Sequence, residues 1–189
     1  MKIALALASS IVALAATSAL AHERIYTAVL DGPSEFPANA SPGTGFATVT
    51  LDLDLITMRV QADFTGLTGT VTAAHIHGPT LNPLAGTAGV MTTTPTFTGF
   101  PSGVTSGTYD HTFNMGLASS YNPSFISANG GSVGSAYPVL LAAFQDGKAY
   151  LNIHTSTFGG GEIRGFLVPE PTTLGALAGV GTLVLRRRR

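Results

Sequence analysis

The sequence predicts an all-β protein with one or two short helices, built as an antiparallel β-sandwich or an immunoglobulin-like Greek-key barrel. Apolar and polar residues alternate with a period of two in several runs, the signature of half-buried strands. Glycine and proline, 23 and 11 of the 189 residues, cut the chain into many short elements. The runs recur about every 10 residues, without the interleaved helices that a βαβ pattern needs.

The two ends stand apart from this pattern. Met1 to Ala21 has one cation at Lys2, an apolar run from Ile3 through Val12 and beyond, and the ending Ala19-Leu20-Ala21. That is the layout of a secretory signal peptide cut after Ala21. Residues 169–189 carry Pro169-Glu170-Pro171, an apolar segment and the cluster Arg186 to Arg189. Between them, residues 22–168 are enough for one domain with one core.

Along that domain, Arg24 to Leu30 is the first expected strand, closed by Asp31-Gly32-Pro33, and Ser34 to Gly45 is a long loop. Ala47, Val49, Leu51, Leu53 and Leu55 alternate with Thr48, Thr50, Asp52 and Asp54. Met58, Val60, Ala62 and Phe64 then alternate with Thr57, Arg59, Gln61 and Asp63, so the two runs predict a hairpin. Val71 to His77, Ala85 to Thr92 and Thr105 to Met115 follow as strands. Ser119 to Ala128 and Ala136 to Gln145 are the helix candidates, and Lys148 to Thr155 and Glu162 to Val168 close the domain as a hairpin across Gly159-Gly160-Gly161. No internal repeat is evident.

Residues 22–168 hold four Lys or Arg and nine Asp or Glu, a net charge near −5, which argues against nucleic acid as a partner. The chain has no cysteine. An exported domain of this kind has no disulfide to constrain its unfolded state, and any metal site must use imidazole, carboxylate or other oxygen ligands.

His75-Ile76-His77 is the most informative triplet. On a strand, both imidazoles point to one face and Ile76 to the other, with the two histidine Cα atoms about 6.6 Å apart. They can share a metal ion or act as hydrogen-bonded histidines that steady the turn at Gly78-Pro79. In the run from Ala149 to His154, Leu151 and Ile153 face the core, and Tyr150, Asn152 and His154 lie on the polar face. His75, His77 and His154, with Glu162 from the neighbouring strand, offer three nitrogens and one oxygen to zinc or copper. The competing reading is a Tyr/Asn/His/Glu hydrogen-bond network, with Glu162 paired to Arg164 or Lys148. His22, the first residue after Ala21, adds an α-amine and an imidazole that chelate copper together, against the plainer expectation of a frayed terminus. No Gly-x-Ser-x-Gly elbow or phosphate-cradling glycine loop occurs, and no nucleophile arrangement stands out among the serines and threonines.

Ala74-His75-Ile76-His77-Gly78, Gly147 to Thr155 and Gly161-Glu162-Ile163-Arg164-Gly165 resemble the CHRD domain, the module named after its repeats in chordin. Leu30-Asp31-Gly32 with Glu35 and Pro37 is similar to the family's start, so the resemblance spans about Glu23 to Val168. It implies an extracellular β-sandwich or immunoglobulin-like barrel, widespread in bacteria and without a defined biochemical activity. Val168 to Pro171, Leu174 to Leu185 and the arginines resemble the PEP-CTERM sorting signal. That resemblance implies a Gram-negative exporter of exopolysaccharide with a membrane exosortase acting at Pro169-Glu170-Pro171. The apolar segment from Thr172 to Leu185 is shorter than the roughly 20 residues of a stable span, which suits transient rather than permanent membrane association.

The first functional reading is therefore a non-catalytic module delivered to the cell surface or matrix, processed by signal peptidase and exosortase, with an extracellular polysaccharide or surface protein as partner. The alternative is a zinc or copper protein of the same fold. The end segments also set an expected mass. Protein recovered from its native host should begin at His22 and lack the arginine cluster, and an intact-mass measurement that finds the full C-terminus in the medium would reject the sorting step.

Overall fold

Residues 22–170 are described by a computed structural model. Eight strands form one antiparallel sheet, curled into a half-barrel, in the order β4-β6-β7-β1-β2-β3-β5, with β8 paired to the free stretch of β1. The first three strands, β1 (Glu23–Asp31), β2 (Thr44–Asp52) and β3 (Thr57–Thr65), are a meander in unbroken register from Glu23↔Asp52 and Thr44↔Thr65 onward. The chain then crosses to the far edge for β4 (Val71–His77) and returns for β5 (Gly107–Asn114) beside β3. A short 3-10 turn at Ala118–Ser120, α1 (Pro123–Ala128) and α2 (Val133–Gln145) carry it back to β6 (Tyr150–Thr155), β7 (Ile163–Phe166) and β8 (Val168–Pro169).

Edges β4 and β5 do not pair. The segment leading into β5 spans the gap instead: Leu67 N–H donates to Thr105 O, Val71 N–H to Val104 O and Gly103 N–H to Val71 O. This answers the exposed ladder groups that an open edge would leave.

Alternation places the core on the inner face. Tyr26, Ala28 and Leu30 of β1, Ala47, Val49 and Leu51 of β2, and Met58, Val60, Ala62 and Phe64 of β3 are all buried there. Ala74 and Ile76 of β4 meet Leu151 and Ile153 of β6, and α2 covers the sheet with Ala136, Leu140, Ala143 and Phe144. These four positions recur at helical spacing. Phe144 sets its ring edge-on to Tyr26, centroids 5.1 Å apart. A register shift between Val71 and Ala73 changes the phase of β4, so that Val71 and Ala74 both enter the core. The same phase sends His75 and His77 to the outer face.

Several boundaries differ from the sequence expectation. Helix α2 starts three residues earlier, because Ser132 caps it in a reciprocal pair with Ser135. Ala85 to Thr92 is an irregular loop with isolated bridges at Ala85, Val90 and Thr92. Leu53 to Ile56 is a turn in which Leu55 and Ile56 are exposed, so the apolar alternation of β2 outruns the strand. Among the described residues, no helix is long and apolar enough to cross a membrane.

At Gly165, β7 runs close against the backbone of β1. A Cβ there would overlap Val29 O of β1. Gly165→Ala should therefore force β7 off β1 and cost at least about 2 kcal/mol in denaturant unfolding. A variant as stable as the parent would mean that the two strands are not so closely joined.

Candidate metal centre

The outer face of β4, β6 and β7 carries polar side chains that are buried all the same, because three loops fold over them. Antiparallel register sets His75 opposite Asn152, His77 opposite Tyr150 and Ala73 opposite His154, while β7 brings Arg164 opposite Asn152. The loops are the segment after β1, which supplies Ser34 and Glu35, the segment after β4, which supplies Gly86, Ala88 and Pro95, and the β6–β7 connection, which supplies Gly159 and Gly161.

His75, His77 and His154 converge. Their ring centroids are 5.8, 5.3 and 5.7 Å apart, and one nitrogen from each ring lies within 4.8 Å of the others. Each ring gives its other nitrogen to a main-chain carbonyl: His75 Nε2 to Pro95 O at 2.6 Å, His77 Nδ1 to Ala88 O at 3.0 Å, and His154 Nδ1 to Gly159 O at 3.1 Å. A carbonyl only accepts, so these nitrogens carry the protons. The lone pairs therefore sit on His75 Nδ1, His77 Nε2 and His154 Nε2, which are buried and have no partner.

The electrostatics keep the rings neutral. Burial lowers all three imidazole pKa values, aided at His75 by the neighbouring His154, and His77 falls to about 4. Neutral imidazole with one nitrogen tied to a carbonyl is the ligating form, oriented as metal-bound histidines usually are. Tyr150 stacks on His77 at 4.9 Å and 8°, and the Arg164 guanidinium lies 4.7 Å over the Tyr150 ring. Arg164 is itself tied to Ser34 O and Gly86 O.

Glu162, the expected oxygen ligand, is not brought into this group. It falls in a bend before β7 rather than on the strand, so strand alternation does not set its direction. Its carboxylate accepts from Ser41 Oγ and Thr68 N–H on one oxygen and from Gly69 N–H and Thr155 Oγ on the other. Burial would raise its pKa, but these four donors outweigh burial and hold the carboxyl below its usual range. Nor does Glu162 pair with Arg164, whose acidic neighbour is Glu35 at 3.8 Å.

Sequence reasoning missed Glu35 as part of the site. It is buried, burial pushes its carboxyl up to about 7 against the opposing pull of Arg164, and its Oε1 has no partner. Asn152, also buried, has a partnerless Oδ1. The polar-face assignment of Asn152 pointed toward the site, but nothing local marks a glutamate in a Pro/Gly-rich loop as buried. His22 lies apart from the cluster, exposed, with Nδ1 2.7 Å from Asp54. Pro169 pairs with Tyr26 and Glu170 N–H donates to Ile25 O, whereas Ala21 and Pro171 lie outside the described residues.

The family model of the CHRD domain matches residues 26–167. No curated protein and no solved structure matches the chain.

The buried groups make stability depend on pH with opposite signs. An unfolded histidine titrates near 6.5 and folded His77 near 4, so between these values only the unfolded chain takes up the proton and acidification favours unfolding. From pH 7 to pH 5 this costs about 2 kcal/mol for His77. His75 and His154, also lowered, add to the loss. Glu35, raised from 4.5 to about 7, is protonated in the folded state first and offsets about 2 kcal/mol over the same range. Metal-free protein should thus lose stability on acidification, and Glu35→Gln should steepen the loss by about 2 kcal/mol in denaturant titrations at the two pH values. Parallel curves for the two proteins would contradict the buried, protonatable carboxyl.

Proposed function

Because the chain belongs to the CHRD domain family, we propose that it is an exported β-domain whose working centre is a three-histidine site for one zinc or copper ion, held by His75, His77 and His154. The convergence of three buried, partnerless imidazole nitrogens carries this reading. Leaving lone pairs buried without a donor costs about 1 to 3 kcal/mol each. A bound cation turns all three from a cost into ligand bonds. Three neutral nitrogens and no thiolate suit zinc or copper rather than calcium or magnesium, which take oxygen ligands.

Delivery to the surface or matrix, after removal of residues 1–21 and processing at Pro169-Glu170-Pro171, is the setting that the end segments support. The reading as a module for a polysaccharide or surface protein draws on the outer face of β1 and β2, where Val29 and Phe46 are paired and exposed beside Ile25. It is compatible with the metal centre, since the two lie on different parts of the sheet.

Protein produced without an affinity tag should carry about one zinc or copper ion per chain after incubation with the metal and removal of excess. His77→Ala should lose most of it, together with the thermal stabilisation that the ion supplies by binding only the folded state, about 2.7 kcal/mol at 100 times the dissociation constant. Bound metal should be released as pH falls, since three imidazoles must stay unprotonated to ligate. Equal metal content in the parent and the His77→Ala variant would refute the site.

A further inference from the structure

Six buried side-chain polar atoms among the described residues have no hydrogen-bond partner, and five of them belong to one patch: Glu35 Oε1, His75 Nδ1, His77 Nε2, Asn152 Oδ1 and His154 Nε2. Three histidines account for three. We propose that Asn152 supplies the fourth donor to the ion through its side-chain oxygen, and that Glu35 is a positioning residue that holds the Asn152 amide in the orientation that presents that oxygen. This inference rests on the three-histidine reading.

Position is the first argument. Asn152 is the register partner of His75, lies two residues from His154 on the same face of β6, and is flanked there by Tyr150, which stacks on His77. It lies on the face that carries these residues and is 3% exposed. Glu35 comes close to its amide at Gly161. Both terminal atoms of Asn152 lie 2.5 Å, and Glu35 Oε1 2.6 Å, from the point where a Cβ on Gly161 would stand, so amide and carboxylate meet beneath that glycine. Gly161 has φ +133°, and any side chain there would displace both.

Chemistry assigns the ends of the amide. A carboxylate accepts and an amide nitrogen donates, so the nitrogen is the end of Asn152 that suits the Glu35 carboxylate beside it at Gly161. With the nitrogen turned to Glu35, the oxygen is the end that stays buried with no donor to meet it. A neutral oxygen beside three neutral nitrogens completes a four-coordinate set, as divalent zinc takes in closed sites. It also adds no charge next to Arg164, whose guanidinium already lies within the patch.

The test uses cobalt(II), copper(II) and copper(I) with the full protein, Asn152→Ala, Asn152→Asp and Glu35→Gln. The parent should show the intense visible bands of four-coordinate cobalt. Its bound copper(II) should give little enhancement of solvent-proton relaxation, because no exchanging water is needed to complete the set. Asn152→Ala should bind cobalt(II) about 10 to 100 times more weakly, with an altered cobalt spectrum and a new relaxation enhancement on copper(II), while copper(I), content with three nitrogens, is held as before. Asn152→Asp restores an oxygen and should restore the cobalt spectrum. Glu35→Gln, of the same size, should shift that spectrum toward the one for Asn152→Ala. An unchanged spectrum and divalent affinity in Asn152→Ala, or an exchanging water on copper in the parent, would overturn the assignment and leave the three-histidine site standing. Failure of the parent to bind any of the three ions would remove both.

Discussion

Each imidazole of the cluster hands its one proton to a main-chain carbonyl, and the character of this face of the sheet depends on that. The three carbonyls belong to Pro95, Ala88 and Gly159, on two loops that backbone hydrogen bonds such as Met91 N–H to Ile76 O and Glu162 N–H to Ile153 O also hold to the strands beneath them. With the protons placed outward, the lone pairs face each other, and protonation of any ring would set a second proton against them in a dry environment. Burial, neutrality and convergence are therefore one condition seen three ways.

Much of this was legible in the sequence because it depends on a period of two. His75 and His77 share a face, Ile76 enters the core, and His154 lies on the polar side of its strand with Leu151 and Ile153 opposite, all as alternation requires. The all-β class and the antiparallel pairing followed from the same pattern. What alternation does not govern was not legible. Glu162 sits one residue before its strand begins, and a bend turns its side chain toward Thr155 and the loops near Ser41 and Thr68. Glu35 reaches the site from a loop whose path is set by contacts more than 100 residues away, such as Arg164 on Ser34 O. The segment from Ala85 to Thr92 has the composition of a strand, yet single bridges to His77 and Tyr121 take the place of a ladder.

The displaced Glu162 has a role of its own in a chain without cysteine. Four donors from three separate segments end on one fully buried carboxylate, joining the loop before β2, the turn before β4 and the end of β6. Charge-assisted hydrogen bonds of this kind are stronger than neutral ones. A buried anion with its acceptor sites filled by donors also needs no cation beside it. That leaves Arg164 to Glu35 and keeps the two polar groups on opposite sides of the last hairpin.

Strand β8 ends the domain without slack. Val168 and Pro169 are still paired with β1, and Glu170 donates to Ile25 O, so the first two residues of the Pro-Glu-Pro motif are part of the sheet's edge. Under the processing proposed above, an enzyme cutting within the motif could not draw this segment into an extended grip while it remained a strand. It would have to wait for the last few residues to peel from β1, a local opening far cheaper than unfolding the domain but not free. The rate of release would then be metered by the fraying of a two-residue strand, and residues on the facing stretch of β1, Ile25 to Thr27, would act as its brake.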